Sequence, residues 1–228
     1  MTITTTALTR AAGAAAVAGG LLFIAVQIKH PHLDATFTTT TEYMVRETMK
    51  ILMAVLSLIG ITGIYLRQVS QTGVLGLIGY VLFGVGYLAI LSVQVVGVFV
   101  LPTIADSQPG YVNDVLAVAT GGTPTGDVGL FGSLSQAGIA YIVGGFIFGI
   151  ALFRARVLAR WAAALLAVGA IATLASSLLP QINPRLFAIP VSVALIGLGF
   201  SLWREQRTQN TRPMASPVSS QLDPTGAK

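Results

Sequence analysis

Residues Gln68 to Ala105 read QVSQTGVLGLIGYVLFGVGYLAILSVQVVGVFVLPTIA, without one Asp, Glu, Lys, Arg or His. This stretch decides the solvent. A charge at the centre of a spanning helix costs about 2.5–3.5 kcal/mol on insertion scales, and so long an apolar run has no ready place in a water-soluble fold. Shorter runs of the same kind flank it. Across the chain 9% of residues are charged and 54% hydrophobic, with a mean hydropathy of +0.80. Globular domains carry roughly 25% charged residues, so membrane composition runs throughout, rather than a soluble domain with one anchor.

Read outward with a window of about 19 residues, the pattern predicts an all-α, polytopic transmembrane bundle of six helices. The expected spans are 8–28, 46–66, 73–101, 134–154, 159–179 and 185–203. In the first, Arg10 precedes an apolar run to Val26, as in a signal peptide. Gln27, Ile28 and Lys29 then stand where small residues should mark a cleavage site, so the run is read as an uncleaved span. The third span would extend about 43 Å against a hydrocarbon core of about 30 Å, which calls for tilt or for burial of its outer end under the next loop. Pro102 and Pro180 close the third and fifth spans. Pro190 falls inside the sixth, near its start, where a bend or a loosened first turn is expected.

Basic residues orient the chain. With both termini cytoplasmic, the inner side holds Arg10, Arg67, Arg154, Arg156, Arg160, Arg204, Arg207, Arg212 and Lys228, against Lys29, Arg46, Lys50 and Arg185 outside. Asp34, Glu42, Glu47, Asp106, Asp114 and Asp127 all fall outside, while Trp161 and Trp203 reach the inner interface. The net charge of +5 is thus a topology signal, and no nucleic-acid partner is expected. Residues 1–203 form the expected membrane domain. The polar tail 204–228, rich in Ser, Pro, Thr and Gln, reads as a disordered cytoplasmic segment.

In a lipid bilayer helices associate through close backbone approach, and the sequence supplies small residues for it. Gly145 and Gly149 form a GxxxG, Ala15/Gly19 and Ala16/Gly20 repeat the spacing, and the third helix carries Gly73, Gly76, Gly79, Gly84 and Gly86. Packing within the bundle is the first reading. A homodimer through Gly145 and Gly149 is the alternative.

Few residues carry chemistry. His30, His32 and Asp34 form a His-x-His-x-Asp after the first span, with Glu42 and Glu47 following. Alternate residues of an extended segment point to one side, so His30, His32, Asp34 and Glu42 are candidate ligands for a divalent metal such as Zn2+. The plainer reading is a polar collar where the chain turns. Both histidines share one loop, which removes a haem held between facing helices. Glu42 with Arg46, and Glu47 with Lys50, read as ion pairs on a solvated helix end. The loop 102–133 is expected to hold a short amphipathic helix starting near Ser107 and Pro109, lying on the membrane as a cap. Within the spans, Gln94 and Gln136 are the candidate ligand-binding residues. No Asp, Glu, Lys or Arg lies near a span centre, which disfavours a charge-coupled pump. The absence of Cys removes thiolate sites and disulfides.

The segments Lys50-Ile-Leu-Met-Ala-Val-Leu56, Gly63-Ile-Tyr-Leu-Arg-Gln68, Leu158-Ala-Arg-Trp161, and Leu179-Pro180 with Arg185-Leu186 resemble those of uncharacterised small six-span bacterial integral membrane proteins. The resemblance implies a six-helix bundle and no activity. Three functions follow as expectations. The first is a non-enzymatic structural, interaction or apolar-ligand-binding membrane protein. The second is a facilitative carrier for a small neutral solute using Gln94 and Gln136, and the third a metal-dependent activity at the first outer loop.

Overall fold

A computed structural model describes residues 4–28, 31–178 and 184–210, and among these all regular structure is helical. Six long helices carry the fold: α1 (Thr5–Gln27), α3 (Thr41–Arg67), α4 (Val69–Phe99), α8 (Gly138–Ala155), α9 (Arg160–Leu178) and α10 (Ala188–Asn210). Short helices α2 (Ala35–Thr38), α5 (Leu101–Ile104), α6 (Pro109–Ala119) and α7 (Leu130–Gln136) lie in the connections. Five helical runs are long and apolar enough to cross a membrane: Thr5–Gln27, Thr41–Arg67, Val69–Phe99, Leu130–Ala155 and Ala188–Glu205. The apolar run of α9, Arg160–Thr173, is shorter.

Each long helix packs on the next in sequence, and α10 returns to α1, so the six close a ring in chain order. Every neighbouring pair is antiparallel. On α1 and α3 the approaches are Ala12 to Gly63, Ala16 to Gly60 and Gly19 to Ser57. On α4 and α8 they are Gly79 to Phe148, Phe83 to Gly144 and Gly86 to Tyr141. Glycine is required at these crossings. A Cβ added at Gly79 would stand 2.4 Å from the Phe148 backbone nitrogen, and one at Gly144 2.1 Å from that of Phe83. Gly149 meets the α9 backbone at Ala163 and Ala167, and Gly145 meets Ala170 and the Phe83 ring, so both residues of the GxxxG face neighbours within the chain.

Among the described residues the centre of the ring is packed with side chains. Ile61, Phe83, Tyr87, Phe148, Leu166 and Leu195 are fully buried within one continuous core cluster. Tyr65 and Tyr80 stack with centroids 4.5 Å apart, and the Tyr80 and Thr62 hydroxyls lie 3.1 Å apart.

Proline and helix ends differ from expectation in instructive ways. Pro190 is the third residue of α10, after a 3-10 turn over Pro184–Phe187; in a first turn its missing N–H removes no helical bond. Pro102 lies in the first turn of α5 for the same reason. Pro180 is outside the described residues. Gly73, at φ 58 and ψ −152, breaks the first turn of α4 from the rest. At the other end, Gly97, Val98 and Leu101 are buried, Leu101 in a core shared with Ala35, Tyr43 and Val112. α10 continues past the expected boundary at 203 to Asn210, and Arg67 on α3 pairs with Glu205 on it. The rest of the expected tail, 211–228, lies outside the described residues.

Gly79→Ala should lower the thermal unfolding midpoint of the detergent-solubilised protein markedly, since the new methyl meets backbone that cannot move aside. Gly84→Ala, on the same helix with nothing within 4 Å of the added carbon, should leave it unchanged or slightly raised. Equal midpoints for the two variants would refute the close crossing.

Candidate functional site

At the end of the bundle where α3 begins, Tyr43, Glu47 and Lys50 are spaced four and three residues apart and so share one face of that helix. The helix starts where Thr40 caps it, its Oγ1 accepting from the Tyr43 N–H at 3.2 Å. The shared face turns inward. Tyr43 is 1% exposed and Glu47 4%. They meet Val93, Gln94 and Gly97 of α4, roofed by Leu116 of α6 and by Thr120 just after it, and together line a cavity of about 50 Å3. That is room for one or two water molecules. A Cβ at Gly97 would lie 3.1 Å from the Tyr43 hydroxyl and 3.5 Å from Glu47 Oε2, so the bare glycine leaves this polar floor its space.

Lys50 Nζ donates to Glu47 Oε1 inside this chamber. The side chains are 16% and 5% exposed, so Glu47 is buried and Lys50 half-buried, not the solvated helix end expected from sequence. Glu42 and Arg46 behave as expected, with Arg46 Nε donating to Glu42 Oε1 at 2.8 Å on the surface. The difference arises from residues remote in sequence. α6 buries Val112, Val115 and Leu116 in a second core with Ala35, Tyr43, Leu101 and Val128.

Two polar ties fasten this cap. Ala35 N–H donates to Asn113 Oδ1 at 2.8 Å, joining α2 to α6. Asp114 accepts from the Thr125 N–H at 2.7 Å, the Thr125 hydroxyl at 2.8 Å and the Gly126 N–H at 2.9 Å. Those donors hold its carboxyl below the usual aspartate range.

The candidate metal ligands are used differently. Asp34 caps α2, its Oδ1 accepting from the Phe37 N–H at 2.7 Å, so the extended alternation ends there. His32 is exposed, Glu42 is taken by Arg46, and His30 lies outside the described residues. Among the described residues no three of His, Cys, Asp and Glu gather as a metal site. Gln94 lines the chamber, whereas Gln136 is exposed at the end of α7 and does not line it. Deeper in the bundle the Ser57, Tyr87 and Tyr141 hydroxyls are buried and come close to one another.

Sequence reasoning passed over Tyr43, Glu47, Lys50 and Gly97 as a unit. The signal was the shared helical face; what was missing was the roof. No family model matches the chain, and neither a curated protein nor a solved structure matches it.

Removing one member of a buried ion pair strands the other, at about 3–5 kcal/mol, whereas exposed pairs contribute about 0–1 kcal/mol. Glu47→Ala should therefore destabilise the detergent-solubilised protein far more than Glu42→Ala. Chemical denaturation of the two variants side by side reads the difference, and similar losses would remove the buried pair from the account.

Proposed function

We propose that this is a six-span integral protein of a cell membrane, with both termini cytoplasmic, that works without catalysis by binding apolar or amphiphilic molecules from the side. The observation that carries this reading is the filled centre of the ring. Ile61, Phe83, Tyr87, Phe148 and Leu195 pack in one buried core cluster between the helices, which leaves a neutral solute little room among them. Room is found instead on the perimeter. A groove of about 440 Å3 lies between α1 and α10, lined by Ala14, Val17, Ala18, Leu21, Phe200 and Trp203. Another of about 400 Å3 lies between α1 and α3, with Leu8, Leu58, Ile59 and Leu66 among its walls. Both are predominantly apolar, so lipid-soluble molecules fit them better than solutes from water.

The sixth span and the orientation are part of this proposal. α9 is 19 residues long, enough for about 28 Å at the helical rise. Arg10, Arg67, Arg154, Arg156, Arg160 and Arg204 gather at one end of the antiparallel ring. Asp34, Glu42, Glu47, Asp106, Asp114 and Asp127 gather at the other. That asymmetry supports an inner face at the arginine end.

Two measurements test the reading. With no native cysteine to interfere, a membrane-impermeant maleimide on intact cells should label Thr123→Cys and leave Ser70→Cys unlabelled until the cells are opened; the reverse pattern would invert the topology. In proteoliposomes, stopped-flow light scattering should give glycerol and urea permeation no faster than in empty vesicles. Clear acceleration would replace the binding reading with that of a carrier.

A further inference from the structure

The grooves on the two flanks of α10 end in the same place. One, of about 510 Å3, runs between α9 and α10 past Trp161, Phe200 and Arg204. The other is the apolar groove between α1 and α10, which ends at Phe200 and Trp203. Phe200 borders both and is 51% exposed, a low ridge between two channels. Above the ridge sit two tryptophans: Trp161, 59% exposed beside Gly197, and Trp203, whose ring lies 5.9 Å from the Arg10 guanidinium carbon.

Charge at this end is one-sided. Arg10, Arg67, Arg154, Arg156, Arg160 and Arg204 stand at it, and Glu205 is the only acid there among the described residues. Glu205 is engaged by Arg67. An apolar channel that opens at its polar end into aromatic rings and arginines matches an amphiphile with a negative head, not a purely apolar molecule.

We infer that the paired grooves around Phe200 seat an anionic glycerophospholipid, its phosphate between Arg10 and Arg204 and one acyl chain along Ala14, Val17 and Leu21. The inference rests on the lateral-binding reading and names the ligand class for it. Trp161 and Trp203 supply rings at the glycerol level, where amphipathic aromatics settle. Basic pockets between helices at the inner interface recognise such headgroups through charge-assisted hydrogen bonds to phosphate. Phe200 fits between the two acyl chains.

The chain reports on its own site, because Trp161 and Trp203 are its only tryptophans. In the Trp161→Phe variant, Trp203 fluorescence is followed in phosphatidylcholine vesicles containing a minor fraction of either dibrominated phosphatidylglycerol or dibrominated phosphatidylcholine. The expected result is stronger quenching by the brominated phosphatidylglycerol. Arg10→Gln with Arg204→Gln should weaken that preference, by about five-fold per arginine removed. Arg154→Gln with Arg156→Gln, the same charge lost away from the grooves, should leave it intact, and so should millimolar inorganic phosphate. Equal quenching by the two lipids, or equal loss in both double variants, would reduce the effect to a diffuse surface field and overturn the seat. Displacement by inorganic phosphate would overturn it too, by assigning the arginines to a free anion. An absence of quenching by either lipid would sink the membrane reading itself, and so is distinguishable from failure of the lipid seat alone.

Discussion

The rest of the structure depends on how closely α4 and α8 approach. Acyl chains solvate a leucine as well as another leucine does, so burial of apolar surface offers little drive for helices to meet in a bilayer. What remains is dispersion between surfaces near enough to touch and the shape that permits it. Gly79, Gly86 and Gly144 remove side chains at three successive levels of this crossing, and Phe148, Tyr141 and Phe83 fill the space. The aromatic rings that interlock there, with Phe83 5.1 Å from Tyr141 and 5.0 Å from Tyr87, form the solid centre of the bundle. The same device recurs with smaller partners between α1, α3 and α10, where alanine and glycine alternate across the interfaces.

Outside that packed centre the larger grooves lie on the perimeter, and the two ends of the bundle are chemically unequal. One end holds most of the arginines, both tryptophans and the deep grooves beside α10. The other holds the described acids apart from Glu205, and a cap with its own small core. Glu47 and Lys50 show what closure does to chemistry. An ion pair that would contribute little in water becomes costly to break once α6 has shut the solvent out. The small cavity beside it is lined by Glu47, Lys50 and Gln94 of the bundle and by Thr120 of the cap, so polar groups of both meet there.

The helical character and the approximate place of each long helix were legible in the chain because lipid imposes one strict rule. Backbone groups must bond within their own segment, so uncharged stretches of sufficient length become helices. The Glu42–Arg46 pair and the helix beginning at Pro109 were also legible, being local patterns of three or four residues. The candidate site was not. Tyr43, Glu47 and Lys50 sit on one face by periodicity alone, yet whether that face meets water or protein depends on Leu116 and Thr120, some seventy positions away. Asp34 has a role that the His-x-His-x-Asp spacing does not show: as a helix cap its carboxylate accepts from the Phe37 backbone.

By itself, then, the chain determined its solvent and its secondary structure, because both follow from the local density of charge and the length of apolar runs. Only the tertiary structure decided which small residues meet which neighbours, which charges are buried and where the grooves open. Those outcomes turn on contacts between residues far apart in sequence, and a difference of one methyl group at a crossing such as Gly79 decides whether two backbones can touch.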